Sequence, residues 1–119
     1  MVTEPFLTLT DLTALEAALD QSHGQPILIF KHSATCGISA QAHHELAQWH
    51  SRQGQPIQAF LIHVRRHREV SDAVADRFRI RHESPQVLLV EGGAVQWHGS
   101  HWHVNGREVQ QALDSLATA

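Results

Sequence analysis

Apolar residues recur along this chain in two patterns, short continuous runs and stripes at helical spacing. Buried strands are short and largely apolar. We therefore predict four β-strands, at residues 27–31, 57–64, 86–91 and 94–98. Stripes with apolar residues three or four positions apart are typical of amphipathic helices. They predict four helices, at about residues 11–21, 37–52, 70–78 and 105–116.

Glycine, proline and asparagine mark the ends of these elements. Gly54 and Pro56 are predicted to end the second helix. Gly92 and Gly93 predict a tight hairpin between the last two strands, because glycine tolerates the positive φ of such turns. Asn105 is predicted to cap the final helix, with an acidic residue three positions later. The last two strands are then antiparallel, whereas the first two, separated by a helix, are parallel.

The predicted order is helix, strand, helix, strand, helix, strand, strand, helix, which indicates an α/β fold in three layers. A mixed sheet, made of a parallel pair and an antiparallel hairpin, would carry helices on both faces. With 119 residues, the chain is predicted to form one domain, residues 1–119. A parallel pair followed by a hairpin, with a cysteine at the end of the first strand, is the thioredoxin-like arrangement.

That cysteine, Cys36, is the only one in the chain and stands in the motif Thr-Cys-Gly-Ile-Ser at residues 35–39. The pattern places it where a strand turns into a helix. Backbone N–H groups there, those of Ile38 and Ser39 among them, and the Ser39 hydroxyl can stabilise a thiolate, which is the reactive form. The position of a resolving cysteine, three residues on, is occupied by Ser39. Any disulfide of Cys36 must therefore form with another molecule.

A buried, unreactive Cys36 and a histidine metal site are the two alternatives to a reactive thiol. A lone cysteine is often a small buried hydrophobic residue. The chain also contains eleven histidines, most densely at residues 97–103, where His101 and His103 would point the same way in an extended segment. That group lacks a spaced partner pair and a nearby cysteine, so we predict no metal site there.

The formal net charge is −3, with nine Lys and Arg residues against twelve Asp and Glu residues. Such a chain has no general attraction for phosphate backbones, so we do not expect nucleic acid as a partner. The basic run at residues 65–68 follows an apolar strand and is interpreted as a solvated loop that could contact an acidic client or thiol. No apolar stretch approaches the roughly 18 residues of a membrane span, and the N-terminal residues lack signal-peptide features. We therefore expect a cytoplasmic protein that does not bind membranes.

Pro85 lies 49 residues after Cys36, directly before the third predicted strand. In thioredoxin-like proteins a cis proline begins the strand that faces the active-site cysteine. We predict a cis bond between Ser84 and Pro85, although a proline at this position could also simply begin an ordinary strand.

The sequence resembles the monothiol bacilliredoxins of the bacillithiol system, over nearly the whole chain. The similarity is carried by Phe-Lys-His-Ser at 30–33, Thr-Cys-Gly-Ile-Ser at 35–39, His-Glu-Ser-Pro-Gln at 82–86, Trp-His at 97–98 and Ser-His-Trp at 100–102. Members of that family usually have proline directly after the cysteine, where this chain has Gly37. The resemblance implies that Cys36 accepts a low-molecular-weight thiol, expected to be bacillithiol, from S-thiolated client proteins.

By the same resemblance, Thr35 would position the attacked disulfide, and Ser84 and Pro85 would offer backbone groups to the incoming thiol. Gly37, Ile38 and Ser39 would stabilise the thiolate. The thiol is a co-substrate, and no bound cofactor is expected. Two other functions stay open: a sensor or carrier that keeps its thiol without turnover, and a non-catalytic binding module in which Cys36 is inert.

Overall fold

The computed structural model describes residues 5–53 and 57–118. Within these ranges strands and α-helices alternate as far as the third α-helix. Two strands then follow each other, and a short 3-10 helix, His101–His103, precedes the last α-helix. The strands are β1 (Phe6–Thr8), β2 (Ile27–His32), β3 (Gln58–His63), β4 (Gln86–Glu91) and β5 (Ala94–Ser100). The helices are α1 (Leu12–Gln21), α2 (Gly37–Ser51), α3 (Arg68–Phe78) and α4 (Gly106–Thr118).

The strands form one mixed sheet in the order β1-β3-β2-β4-β5. β1, β3 and β2 run parallel, whereas β4 runs antiparallel to both β2 and β5. The predicted α/β fold with a parallel pair and an antiparallel hairpin is confirmed, with one strand added. No helix within the described ranges is long and apolar enough to cross a membrane.

The added strand, β1, was missed because its three residues are too short to show a periodic pattern. Only Phe6 is buried, while Leu7 and Thr8 are exposed. β1 is held by its register with β3, where Phe6 pairs with Ala59. The predicted parallel pair is therefore a set of three parallel strands, with β1 at the sheet edge.

β2 is the central strand, and all six of its residues are buried. Because side chains alternate along a strand, Leu28 and Phe30 pack into the core under α2 and α4. Ile27 and Ile29 belong to the second core, under α1 and α3. The continuous burial of β2 thus reflects a sheet that is covered on both faces.

The predicted cap of α4 and the hairpin turn are confirmed. Asp11 caps α1, accepting from the Ala14 N–H at 2.7 Å, and Asn105 accepts from the Glu108 N–H at 2.9 Å. Both glycines of the hairpin have positive φ, 65° and 76°. The predicted end of α2 at Gly54 and Pro56 lies outside the described residues. The 3-10 helix at His101–His103 also means that this segment is not extended.

Three chain segments meet at one edge of the sheet. β2 ends at His32, which pairs with His63 at the end of β3. β4 runs in the opposite direction and starts at this same edge, with Lys31 pairing with Gln86. The loops at residues 33–36, 64–67 and 81–85 therefore adjoin one another, and the first of them carries the cysteine.

Candidate active site

Cys36 stands at the junction of β2 and α2, as the sequence predicts. It is the N-cap residue of α2, has an extended backbone (φ −104°, ψ 123°), and is a half-buried free thiol. Its N–H donates to the Ser33 carbonyl at 3.1 Å, and its carbonyl accepts from the Ala40 N–H at 3.0 Å. The turn before the cysteine and the first turn of α2 thus fix its backbone, while the residue stays partly exposed.

Gly37, Ile38 and Ser39 form the first turn of α2, where the sequence places the thiolate-stabilising groups. Within the described part of the chain, the Cys36 side chain makes no capping hydrogen bond. Contacts between these N–H groups and a thiolate therefore stay a prediction. A Cβ added at Gly37 would meet no atom within 4 Å, so the space there accepts a larger residue.

Ser39 is completely buried beneath the cysteine turn. Its Oγ lies 2.7 Å from His32 Nδ1 and accepts a hydrogen bond from the Ser33 N–H at 3.0 Å. The residue that replaces a resolving cysteine therefore ties α2 to the end of β2 and to the turn leading to Cys36. The sequence did not reveal this role, because the spacing of His32 and Ser39 carries no known signal.

The protonation of His32 decides where the Ser39 hydroxyl proton points. A hydroxyl has one proton to donate and two lone pairs. When His32 Nδ1 carries a proton, Ser39 Oγ accepts from both His32 and Ser33, and neither of these two contacts uses the hydroxyl proton. When His32 Nδ1 is unprotonated, the hydroxyl donates to it instead.

His32 also belongs to a chain of histidine rings under the site. The ring centroids of His32 and His43 are 5.1 Å apart, those of His32 and His63 6.0 Å, and those of His63 and His67 6.3 Å. These rings come from β2, α2, β3 and the loop after β3, so only the folded register brings them together. Among the described residues, no group of three or more His, Cys, Asp or Glu side chains could hold a metal ion.

The Ser84–Pro85 peptide bond is cis, as predicted. The Pro85 carbonyl already accepts from the His101 N–H at 2.9 Å. The Ser84 N–H and C=O have no backbone partner within the described ranges, and its buried Oγ has no hydrogen-bond partner there either. That Ser84 and Pro85 offer backbone groups to a thiol stays a prediction.

Thr35, predicted to position a disulfide, is exposed directly before the cysteine, and its Oγ1 lies 3.4 Å from Ser33 Oγ. A cavity of about 210 Å³ opens beside it. The cavity is lined by residues 33–35, by His32 and His63, and by Arg65 and Arg66. The basic loop after β3, interpreted from sequence as solvated, is exposed but also forms one wall of a cavity that adjoins the cysteine turn.

Lys31 lies on the opposite face of β2, as strand alternation predicts. It is completely buried, and its Nζ lies 3.2 Å from His82 Nδ1. Burial lowers the pKa of Lys31 from 10.5 to about 8, against the opposing effect of the Asp72 carboxylate. Burial, followed by the nearby Lys31 charge, also lowers the pKa of His82. Ser71 Oγ, 3.3 Å from the same His82 nitrogen, completes this contact between α3 and the segment before Pro85.

The sequence of residues 7–109 matches the model of a protein family described as monothiol bacilliredoxin BrxC. The chain belongs to the monothiol bacilliredoxin family. The match includes Cys36, Ser39 and Pro85, so the predicted family membership is confirmed.

Solved structures agree with this bacilliredoxin assignment at the level of fold. A candidate oxidoreductase with a thioredoxin fold is 25% identical, with a TM-score of 0.84 over 92% of this chain and 94% of that one. Thioredoxin from Trypanosoma brucei brucei is 9% identical, with a TM-score of 0.76 over 98% and 96% of the two chains. Oxidised mitochondrial thioredoxin 3 from Saccharomyces cerevisiae is 14% identical, with a TM-score of 0.71 over 92% and 94%. This bacilliredoxin therefore has a thioredoxin-like fold.

Proposed function

We propose that this protein is a monothiol thiol–disulfide oxidoreductase that removes a low-molecular-weight thiol, bacillithiol, from S-thiolated proteins. The observation that carries the proposal is the position of Cys36: a free, half-buried thiol at the N-cap of α2, with buried Ser39 where a resolving cysteine would stand. Family membership and the thioredoxin-like fold support thiol chemistry at this position.

The first step is attack by the Cys36 thiolate on the sulfur of the capping thiol in the mixed disulfide. A new disulfide forms between Cys36 and the cap, and the bond between the cap and the client breaks. The client sulfur leaves as a thiolate and takes a proton. Thr35 and Ser84 would position the disulfide for this attack.

The second step regenerates the enzyme. A second molecule of the low-molecular-weight thiol, as its thiolate, attacks the cap sulfur on Cys36. The products are the symmetrical disulfide of the small thiol and the free Cys36 thiolate. The cycle needs no bound cofactor, because the small thiol is both the group removed and the reductant. Its partners would be S-thiolated client proteins in the cytoplasm, with neither nucleic acid nor membrane involved.

Client release with multiple turnovers tests the proposal. A fluorescent client protein capped with bacillithiol is mixed with a hundredth of its amount of this protein and an excess of bacillithiol. We expect many clients to be released per Cys36, and none above background with Cys36→Ser, since the chain has no other cysteine.

Ser51→Ala is the matched control, because this exposed serine near the end of α2 bonds only to the Gln48 carbonyl within the described structure. Its release rate should equal that of the wild type. Release of a single client per Cys36 would contradict an enzyme and favour a carrier. Client release above background by Cys36→Ser would show that the reaction does not use the Cys36 thiol.

A further inference from the structure

The strongest unassigned feature of the molecule is the cavity beside the cysteine turn. Residues 33–35 form one wall, and the loop that follows β3 forms another with Arg65 and Arg66. The two walls adjoin because His32 and His63 pair at the ends of neighbouring parallel strands, and the Val64 N–H donates to the His32 carbonyl at 3.0 Å. The cavity is therefore held in place by the sheet itself.

The residues that line the cavity carry a net positive charge. No Asp or Glu is among the described residues that line it, and two arginines are. Both arginines are exposed, and neither forms a salt bridge with a described acidic residue. A guanidinium is planar, always charged and presents paired N–H donors that match a carboxylate or a phosphate. An overall acidic chain thus has two arginines in the wall of a cavity that adjoins the turn before its only cysteine.

The size of the cavity limits what it can hold. Its volume of about 210 Å³ is below the roughly 300–1,000 Å³ typical of pockets that enclose a whole drug-sized ligand. It suits the charged end of a small molecule whose remaining atoms extend along residues 33–35 toward Cys36. A thiol with an acidic group at one end and its sulfur at the other fits this arrangement.

We propose that Arg65 and Arg66 bind the anionic group of the low-molecular-weight thiol and so select acidic thiols for transfer to Cys36. This inference rests on the proposed function and deepens it, because it names the residues that bind the co-substrate and the chemical group that they recognise. The arginines act by binding and take no part in bond formation. The anion can be a carboxylate or a phosphate, since guanidinium groups recognise both.

The experiment compares capping thiols that differ in charge. One client peptide is capped in turn with bacillithiol, glutathione, coenzyme A or glutathione diethyl ester, which lacks free carboxylates. The rate at which Cys36 gains each cap is followed by intact mass in the wild type and in Arg65→Gln/Arg66→Gln. The matched control is Arg79→Gln/Arg107→Gln, which removes the same charge from two exposed positions outside the cavity.

We expect the cavity variant to react about tenfold more slowly with the bacillithiol and glutathione caps, in keeping with the loss of charge-assisted hydrogen bonds. Its rate with the diester cap should equal that of the wild type, and the control variant should match the wild type with every cap. A larger loss with glutathione than with coenzyme A would identify a carboxylate site, and the reverse a phosphate site.

An equal loss with the acidic and the diester caps, or the same loss in the control variant, would overturn the anion site while leaving the transfer reaction intact. Absence of any adduct on wild-type Cys36 would instead overturn the proposed function, and the site with it.

Discussion

Two neighbouring residues of β2, Lys31 and His32, are both buried and polar, yet they contact different segments on opposite faces of the sheet. His32 faces α2 and bonds to Ser39 under the cysteine turn. Lys31 faces α3 and bonds to His82, three residues before Pro85. One strand end therefore supports both segments that flank the thiol, each through a buried polar contact on its own face.

The two contacts differ in the hydration lost on burial and in the property of the protein that each affects. A buried amine loses its hydration, and this loss is the main cause of the lowered pKa of Lys31. The Ser39 contact buries a neutral hydroxyl that lies within hydrogen-bond distance of both His32 Nδ1 and the Ser33 N–H. We therefore expect the α3 face to govern how stability depends on pH, and the α2 face to govern the geometry of the thiol.

The largest effect is expected from Lys31→Met. Lys31 binds a proton less tightly in the folded state, with a pKa of about 8, than at its ordinary value of 10.5. Between these two values the unfolded chain holds more protons, so the free energy of unfolding rises with pH. The rise should reach about 3 kcal/mol, because one pKa unit corresponds to about 1.4 kcal/mol. Lys31→Met should abolish it.

Denaturant titrations from pH 7.5 to 10.5 measure this effect, in a Cys36→Ser background that removes the thiol titration. The chain has no tyrosine and no other lysine, so Lys31 is the only side chain left that titrates in this range. If the free energy of unfolding depends on pH in the same way with Lys31 and with Lys31→Met, the proposed difference between the two faces is wrong.

Ser39→Ala should have a smaller effect on stability but a direct one on the thiol. It removes the acceptor of the Ser33 N–H and the hydroxyl bonded to His32. Loss of a buried partner costs about 1–3 kcal/mol. The free energy of unfolding should fall by this amount, whereas Ser51→Ala, at an exposed position, should change it by less than about 0.5 kcal/mol.

Alkylation of Cys36 by iodoacetamide at pH 7 sharpens the same comparison. Ser39→Ala should slow it, since the hydroxyl holds the turn in which the thiol sits. Lys31→Met, on the other face, should leave it unchanged. A slower reaction in Lys31→Met and an unchanged one in Ser39→Ala would reverse the roles assigned to the two faces.

The smallest effect is expected from Gly37→Pro, which restores the residue usual in the family. The first position of a helix tolerates proline, and the Cys36 backbone, at ψ 123°, already has the conformation preferred before proline. No atom lies within 4 Å of an added Cβ. Thermal unfolding should show a gain of about 0.4–1 kcal/mol. A loss of stability would mean that the turn needs the freedom of glycine.

Much of this fold could be predicted from the sequence, because its signals are local. Four of the five strands and all four α-helices follow from apolar runs and stripes, and the opposite faces of Lys31 and His32 follow from strand alternation. β1 could not be predicted, since three residues with one buried side chain carry no period. Its place is determined by pairing with β3.

The site was only partly predictable, because some of its contacts join residues that are far apart in the sequence. The positions of Cys36, Ser39 and cis-Pro85 follow from motifs that are local in sequence. The Lys31–His82 contact joins residues 51 positions apart, and the cavity wall at Arg65 depends on the register of β2 and β3. Such contacts become visible only once the strands are aligned.

The central claim is that Cys36 attacks the capping thiol and leaves the client free. Intact mass after a single turnover, with equal amounts of protein and bacillithiol-capped client and no added thiol, tests it most directly. We predict that this protein gains the mass of one bacillithiol on Cys36 while the client loses it. A covalent Cys36–client complex, or an unchanged mass for both proteins, would contradict the account.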